Sequence, residues 1–302
     1  MSLLIQQAYN AALIHTPVKS LALEHHPFNI RTPIAQQHGM LYRFSEATTR
    51  RRLVLLHGAG IAGEMTWTYV VNYLRSWEEV LVVDFAGMGQ SSFHDVNNPS
   101  LDDYVEQVQQ LLSALDWQTF DVAGYSFGGM VASRLVYEHS GIGVCFLLEP
   151  ALLSGSSAES LLSKASRYRT MADWLDQHPD DQDMYRQFLD IVSPKRRANA
   201  ASDRIAISRL KPNQVGFCQA LRAVSSAIEA NPAALLNWTS PIPGMSFVGA
   251  LSSDDMRVRQ QQLEDRSTDW FGHVVNGADH SLVFTHPKPI ARLMDERLGM
   301  VL

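Results

Sequence analysis

The stretch Asp121-Val122-Ala123-Gly124-Tyr125-Ser126-Phe127-Gly128-Gly129-Met130 says more about this 302-residue chain than any other. An apolar run of strand character enters Gly-x-Ser-x-Gly, and a helix-forming segment, Met130 to Glu138, follows without a spacer. That order builds a strand, a sharp turn and a helix, with a serine hydroxyl at the tip of the turn. The residue at such a tip holds a strained backbone, and the flanking glycines are small so that neighbouring backbone can pass close by. Ser126 is therefore the candidate nucleophile. A bare Gly-x-Ser-x-Gly also arises by chance, so its context decides the reading.

Three further segments supply that context. Upstream, Arg52-Leu53-Val54-Leu55-Leu56 reads as a buried strand ending in His57-Gly58-Ala59-Gly60. The strand Val80 to Asp84 then runs into Phe85-Ala86-Gly87-Met88-Gly89-Gln90-Ser91. Far downstream, Phe271 to Val275 leads into Asn276-Gly277-Ala278-Asp279-His280. Nucleophile strand first and histidine last is a chain order with a known counterpart. Taken together, the four segments resemble the α/β-hydrolase superfamily, of the capped single-domain serine hydrolase type, over roughly residues 40 to 300. The resemblance implies a mostly parallel central sheet flanked by helices, with a helical cap inserted between two sheet strands.

The hydrophobic pattern agrees with that architecture. Apolar runs at Met40 to Phe44, Leu53 to Leu56, Val80 to Asp84, Phe120 to Gly124 and Val144 to Leu148 alternate with helical patterns at Met65 to Trp77 and Leu101 to Leu115. These strands are apolar on both faces, as expected where helices cover both sides of a parallel sheet. From about Ser154 to Trp238 the alternation stops. Helices are expected over Glu159 to Gln177, Asp181 to Val192, Arg196 to Leu210 and Val215 to Ala230, punctuated by Pro179, Pro194, Pro212 and Pro232. Strands resume at Gly244 to Ala250 and Trp270 to Val275, and Pro289 to Leu298 closes the chain as a helix. The expected division is a core of residues 1–150 and 241–302 with a cap at 151–240. Near the N-terminus, a helix at Leu4 to Ile14 and a strand at Val18 to Leu23 are expected.

A serine hydroxyl near neutral pH needs a base within hydrogen-bond reach, and the base needs an orienting acid. His280 is the candidate base, in preference to His273 and His286, because it follows a strand in a Gly-x-x-His turn with Leu282, Val283 and Phe284 behind it. The acid is less direct. The resemblance implies Gly-x-x-Asp after the strand that follows the cap, yet that slot reads Gly249-Ala250-Leu251-Ser252. Asp254 and Asp255 come two and three positions later. The resemblance also allows an acid at the end of the strand before the cap, where Glu149 stands in Leu147-Leu148-Glu149-Pro150. Asp254 is the first choice and Glu149 the second. The other reading of Asp254 and Asp255 is helix capping ahead of Met256. For the oxyanion, the expected donors are the backbone amides of Phe127 and Ala59, with Gly60 a neighbouring option. His57 and Asp84 read as residues that order their loops.

Composition bounds the remaining classes. With 46% hydrophobic and 19% charged residues, the chain can bury a large core. Its net charge of −6 argues against a nucleic-acid surface. No apolar stretch approaches a membrane span, and the start lacks a basic leader, so a cytoplasmic protein is expected. Cys145 and Cys218 read as apolar fillers. No cofactor and no metal are expected. The Gly87-Met88-Gly89 segment lacks the third glycine and the following helix of a dinucleotide loop, and no Cys/His spacing suits a metal ion. The expected partner is a small-molecule substrate. The expected function is a serine hydrolase cleaving a small or medium ester, or a related acyl substrate, through an acyl-enzyme. Two alternatives stand beside it. One is carbon–carbon bond hydrolysis or lyase chemistry on the same residues. The other is a slow-turnover ligand sensor that recruits a protein partner.

Overall fold

The computed structural model describes residues 23–196 and 199–301. The helix expected at Leu4 to Ile14 lies outside those residues, as does all but the last residue of the strand expected at Val18 to Leu23.

The sheet contains β1 (Leu23–Arg31), β2 (Ala35–Phe44), β3 (Arg51–Leu56), β4 (Trp77–Val83), β5 (Ser92–Phe93), β6 (Phe120–Tyr125), β7 (Ile142–Leu148), β8 (Gly244–Gly249) and β9 (Trp270–Val275). Its spatial order is β1-β2-β4-β3-β6-β7-β8-β9, with the short β5 pairing to β2. Along the path β4-β3-β6-β7-β8-β9 every pairing is parallel, whereas β2 pairs antiparallel with β1, β4 and β5 at the edge. The helices are α1 (Gly63–Val71), α2 (Leu101–Ala114), α3 (Phe127–Glu138), α4 (Ala158–Gln177), α5 (Gln182–Val192), α6 (Ala200–Leu210), α7 (Gln214–Ala230), α8 (Pro232–Leu236), α9 (Asp254–Arg266), α10 (Leu282–Thr285) and α11 (Pro287–Val301).

Two-residue periodicity divides the strand side chains between two apolar layers. Leu53 and Leu55 of β3 meet Trp67, Val70 and Val71 of α1 and Ile290 and Met294 of α11. Val54 and Leu56 face the other way, toward Tyr104, Val108 and Leu112 of α2 and Met130, Val131 and Leu135 of α3. α2 starts where Ser100 and Asp103 exchange hydrogen bonds, 2.7 Å from the Ser100 amide and 3.3 Å back to the Ser100 hydroxyl. The chain from α4 to α8 runs between β7 and β8, which are nonetheless paired neighbours in the sheet. The helical segment is thus an insertion at one sheet crossover.

Three differences from the expected elements have physical causes. The helix expected to reach Trp77 stops at Val71, because Asp295 of α11 accepts from the Arg75 and Ser76 amides at 3.2 and 2.9 Å and turns the chain into β4. β1 has little alternation to reveal it; it is an edge strand, mostly exposed, with Pro27 in its middle. α9 buries only Met256, Arg259, Gln260 and Leu263 of its thirteen residues, so its apolar stripe is too thin to announce a helix.

One buried carboxylate anchors the N-terminal end of β6. Asp121 is fully buried and accepts from Arg51 Nε at 2.7 Å, Trp77 Nε1 at 2.7 Å and the Val144 amide at 2.9 Å. It ties β3, β4 and β7 to β6, far from the serine at the strand's other end.

Candidate active site

β6 delivers Ser126 into a tight turn with φ 53° and ψ −112°, a conformation costly for any residue with a Cβ. The turn holds because its neighbours are glycines. A Cβ on Gly124 would sit 2.3 Å from the Gly128 carbonyl oxygen, and one on Gly128 would sit 2.3 Å from the Leu56 carbonyl oxygen. The Ser126 amide donates to the Leu148 carbonyl at 3.0 Å, and its carbonyl accepts from the Ala151 amide at 3.0 Å. The hydroxyl is left facing His280, with Oγ 3.1 Å from Nε2.

His280 is held on all sides. Its amide donates to Ser193 Oγ at 3.2 Å, and its carbonyl accepts from the Tyr125 hydroxyl at 2.8 Å. The Tyr125 ring packs against the imidazole with centroids 5.1 Å apart. Burial, followed by the nearby Glu149 and Asp279 charges, pushes the Tyr125 hydroxyl well above its ordinary range, so it remains a donor. Ser193 belongs to the inserted segment, so the insertion clasps the histidine loop directly.

The carboxylate beside the imidazole is Glu149. Its Oε2 lies 3.2 Å from His280 Nδ1, while Oε1 accepts from the Gly249 amide and the Ser252 hydroxyl, each at 2.6 Å. The side chain has no exposure, and three donors satisfy it. Glu149 also has φ 47°; Asp116, Ser126 and Glu149 are the non-glycine residues with positive φ among the described ones, and two of the three meet at this site. A carboxylate only accepts, so Nδ1 carries the imidazole proton and Nε2 is free to accept from Ser126.

The first-choice acid is corrected by this geometry. Asp254 starts α9 on the outside of the molecule, paired with Lys195 Nζ at 2.7 Å and with Arg257. Those two cations hold its carboxyl below the usual carboxylate range. Asp255 accepts from Ser156. Neither aspartate approaches His280, because Ser253 caps α9 by accepting the Met256 amide and turns both outward at the helix start. Reading the chain missed Ser252, Tyr125 and Ser193 as supports. Ser252 carried one signal: it fills the slot where an aspartate was sought.

The loop after β3 lies over the serine. A Cβ on Gly58 would be 3.3 Å from the Ser126 Cβ. Phe127 is the first residue of α3, where a helix leaves amides without an internal acceptor. Gly60 is occupied otherwise, donating its amide to Met88 Sδ at 3.0 Å. Fully buried, His57 accepts the Phe85 amide at Nε2 (2.8 Å) and approaches the Gly58 carbonyl with Nδ1 (2.7 Å). Burial lowers its pKa and keeps it neutral, which the accepting Nε2 requires. Asp84 accepts the Gly63 amide at 2.7 Å and the Gln90 amide at 3.2 Å. Both residues order loops rather than face the cavity.

Above Ser126 and His280 opens a cavity of 710 Å³. Gly58, Ala59, Tyr125 and Leu251 line it from the sheet side. Phe188, Leu189 and Val192 of α5 and Ile205, Ala206, Arg209 and Leu210 of α6 line it from the insertion. The lining is mainly apolar, with a few polar groups, as in sites for small organic ligands. A second cavity, far from Ser126, lies among Arg50, Arg51, Glu78 and Asp121 at the opposite strand ends and contains no such arrangement.

A model of the alpha/beta hydrolase family matches residues 53–293, four-fifths of the chain. The chain belongs to that family. Among curated relatives, this α/β-hydrolase is 29% identical over 143 residues to the "Putative carbamate hydrolase RutD" of Serratia proteamaculans, covering 42% of this chain and 53% of that protein. It is 37% identical over 87 residues to the pimeloyl-[acyl-carrier protein] methyl ester esterase of Aeromonas hydrophila, covering 29% and 32%. The aligned segments thus span about half or less of the length of these relatives. A carboxylesterase structure from the ammonia-oxidizing thaumarchaeon Nitrososphaera gargenis superposes with a TM-score of 0.69 over 91% of this chain and 98% of its own, at 16% identity. At that identity the likeness speaks for the fold of this α/β-hydrolase alone.

Proposed function

We propose that this protein is a serine hydrolase acting on a small or medium ester, or a related acyl substrate, with Ser126, His280 and Glu149 as its catalytic triad. One observation carries the reading: Ser126 Oγ, His280 and Glu149 form a continuous hydrogen-bonded relay at the floor of an apolar cavity. As the serine oxygen attacks the acyl carbonyl, its proton passes to His280 Nε2, and Glu149 stabilises the resulting imidazolium through Nδ1. Negative charge gathers on the carbonyl oxygen, where the Phe127 and Ala59 amides are the proposed donors; α3 adds the positive end of its dipole. His280 then returns the proton to the leaving alkoxide. Water, deprotonated by the same imidazole, releases the acyl group and restores the serine.

An ester or carbamate hydrolase among the relatives supports this class without selecting the substrate. The same residues on this fold would serve carbon–carbon hydrolysis or lyase chemistry, since fold does not choose the reaction. The sensor alternative drew on an acid absent from its usual slot, and Glu149 beside His280 supports the enzyme reading over it. A p-nitrophenyl ester series of graded acyl length, run beside a serine-directed fluorophosphonate, tests the proposal. Burst and steady turnover, with labelling abolished in Ser126→Ala, are expected. Tight ligand binding without turnover or labelling would overturn it.

A further inference from the structure

The cavity contains two arginines, and their surroundings differ. Arg196 is committed: it binds Asp190 at 2.7 Å and also Asp203, which itself lines the cavity. Arg209, on the last turn of α6, is half-buried in the cavity wall with its guanidinium over the Phe284 ring, 5.3 Å from the centroid. Among the described residues no carboxylate or carbonyl is paired with it. Residues 1–22, 197 and 198 contain no aspartate or glutamate that could supply a side-chain partner. Nearby Asp279 turns its carboxylate to the Ser281 amide at 2.8 Å.

Phe284 stands two residues beyond the start of α10, its ring centroid 6.2 Å from that of Tyr125, so the guanidinium shares one cavity with Ser126 and His280. The cation–π contact holds the guanidinium against the Phe284 face while its N–H groups stay available, and a guanidinium can bind a planar anion side by side. The lining also includes apolar Ile61, Phe188, Ile205 and Leu251, together with the carboxylates of Asp203 and Asp279 and the hydroxyls of Ser202 and Thr285. A ligand matching both features has an apolar chain ending in a carboxylate.

We propose that Arg209 binds a carboxylate at the far end of the substrate, so that the natural substrate is a short acyl ester with an anionic tail, such as a half-ester of a dicarboxylic acid. The assignment rests on the hydrolase reading of Ser126 and names its substrate class. A purely structural account would have Arg209 favour the negative end of α6, a role visible in stability rather than in selectivity.

The test compares monomethyl adipate with methyl hexanoate, which share chain length and scissile bond. Wild type should prefer the half-ester in kcat/KM, with the preference screened by added salt. Arg209→Met should reduce that preference about 10- to 100-fold, mainly through KM. Arg204→Met, an exposed arginine of the same helix outside the cavity lining, should keep it. Equal loss on both esters in Arg209→Met, or a wild-type preference for the neutral ester, would overturn the proposal. Calorimetric binding of both esters to Ser126→Ala separates this from the catalytic reading. Tighter binding of the half-ester that Arg209→Met abolishes upholds the arginine's role even if wild type turns over neither ester; indifference to the charge refutes it.

Discussion

The Ser252 hydroxyl donates to Glu149 Oε1 at 2.6 Å and so joins the loop after β8 to the acid at the end of β7. Two neighbouring strand ends therefore share one carboxylate. The end of β7 supplies it, and the end of β8 and the loop after it supply the donors, Gly249 N and Ser252 Oγ, that hold it toward His280. The positive φ of Glu149 is the local cost of aiming a side chain back across the sheet end.

Removing the charge at this point should disable turnover. Glu149→Gln is expected to lower kcat by about 10³- to 10⁴-fold, because the amide nitrogen cannot accept from Nδ1–H and the imidazole loses its orientation. Asp254→Asn, at an exposed ion pair on α9, should stay within about twofold of wild type. Steady-state rates on one activated ester check both. Normal turnover in Glu149→Gln would remove it from the triad.

Ser252→Ala should act on both stability and rate. Loss of a donor to a buried carboxylate is expected to cost about 1–3 kcal/mol in unfolding free energy and to lower kcat with little change in KM. Urea midpoints and the kcat/KM split measure the two effects. A variant as stable as wild type would mean that the contact contributes nothing.

At the other end of β6, Asp121→Asn should destabilise without touching the chemistry. It leaves the half-buried Arg51 guanidinium without its charged partner and removes an acceptor from a buried cluster, for an expected loss of about 1–3 kcal/mol. Thermal melting should register this, while turnover well below the transition stays near wild type. A kcat loss with an unchanged melting point would contradict the separation of the two ends.

His57 gives a pH dependence with a defined sign. Burial holds its folded pKa below the ordinary histidine value of about 6.5. The unfolded chain therefore binds the proton first as pH falls, so stability is full above about 6.5 and declines as pH drops through the window down to the folded value. Denaturant midpoints at pH 7.5 and pH 5.5 should differ in that direction for wild type. His57→Gln, less stable throughout, should have a shallower slope. An unaltered slope in the variant would assign the pH response to other groups.

Much of this protein can be read along the chain. Ser126 was legible because strand, glycines and helix are contiguous, and backbone crowding at Gly124 and Gly128 is a local matter. The alternating strands and the helical insertion follow from periodicity, which each segment carries by itself. His280 followed from its place after the last strand.

The acid was not legible in the same way. Asp254 and Glu149 both lie in plausible slots, and the distance between them along the chain says nothing about which carboxylate meets the imidazole. Helix α9 begins at Asp254 and turns it to Lys195, while the pairing of β7 with β8 brings Glu149 under Gly249 and Ser252. Local sequence determined the elements and the strained turn that presents Ser126, since those depend on residues adjacent in the chain. The partner of His280, and the place of Arg209 in the wall above it, were decided only when β-sheet order and helix packing brought distant residues together, because hydrogen bonds and ion pairs depend on separation in space.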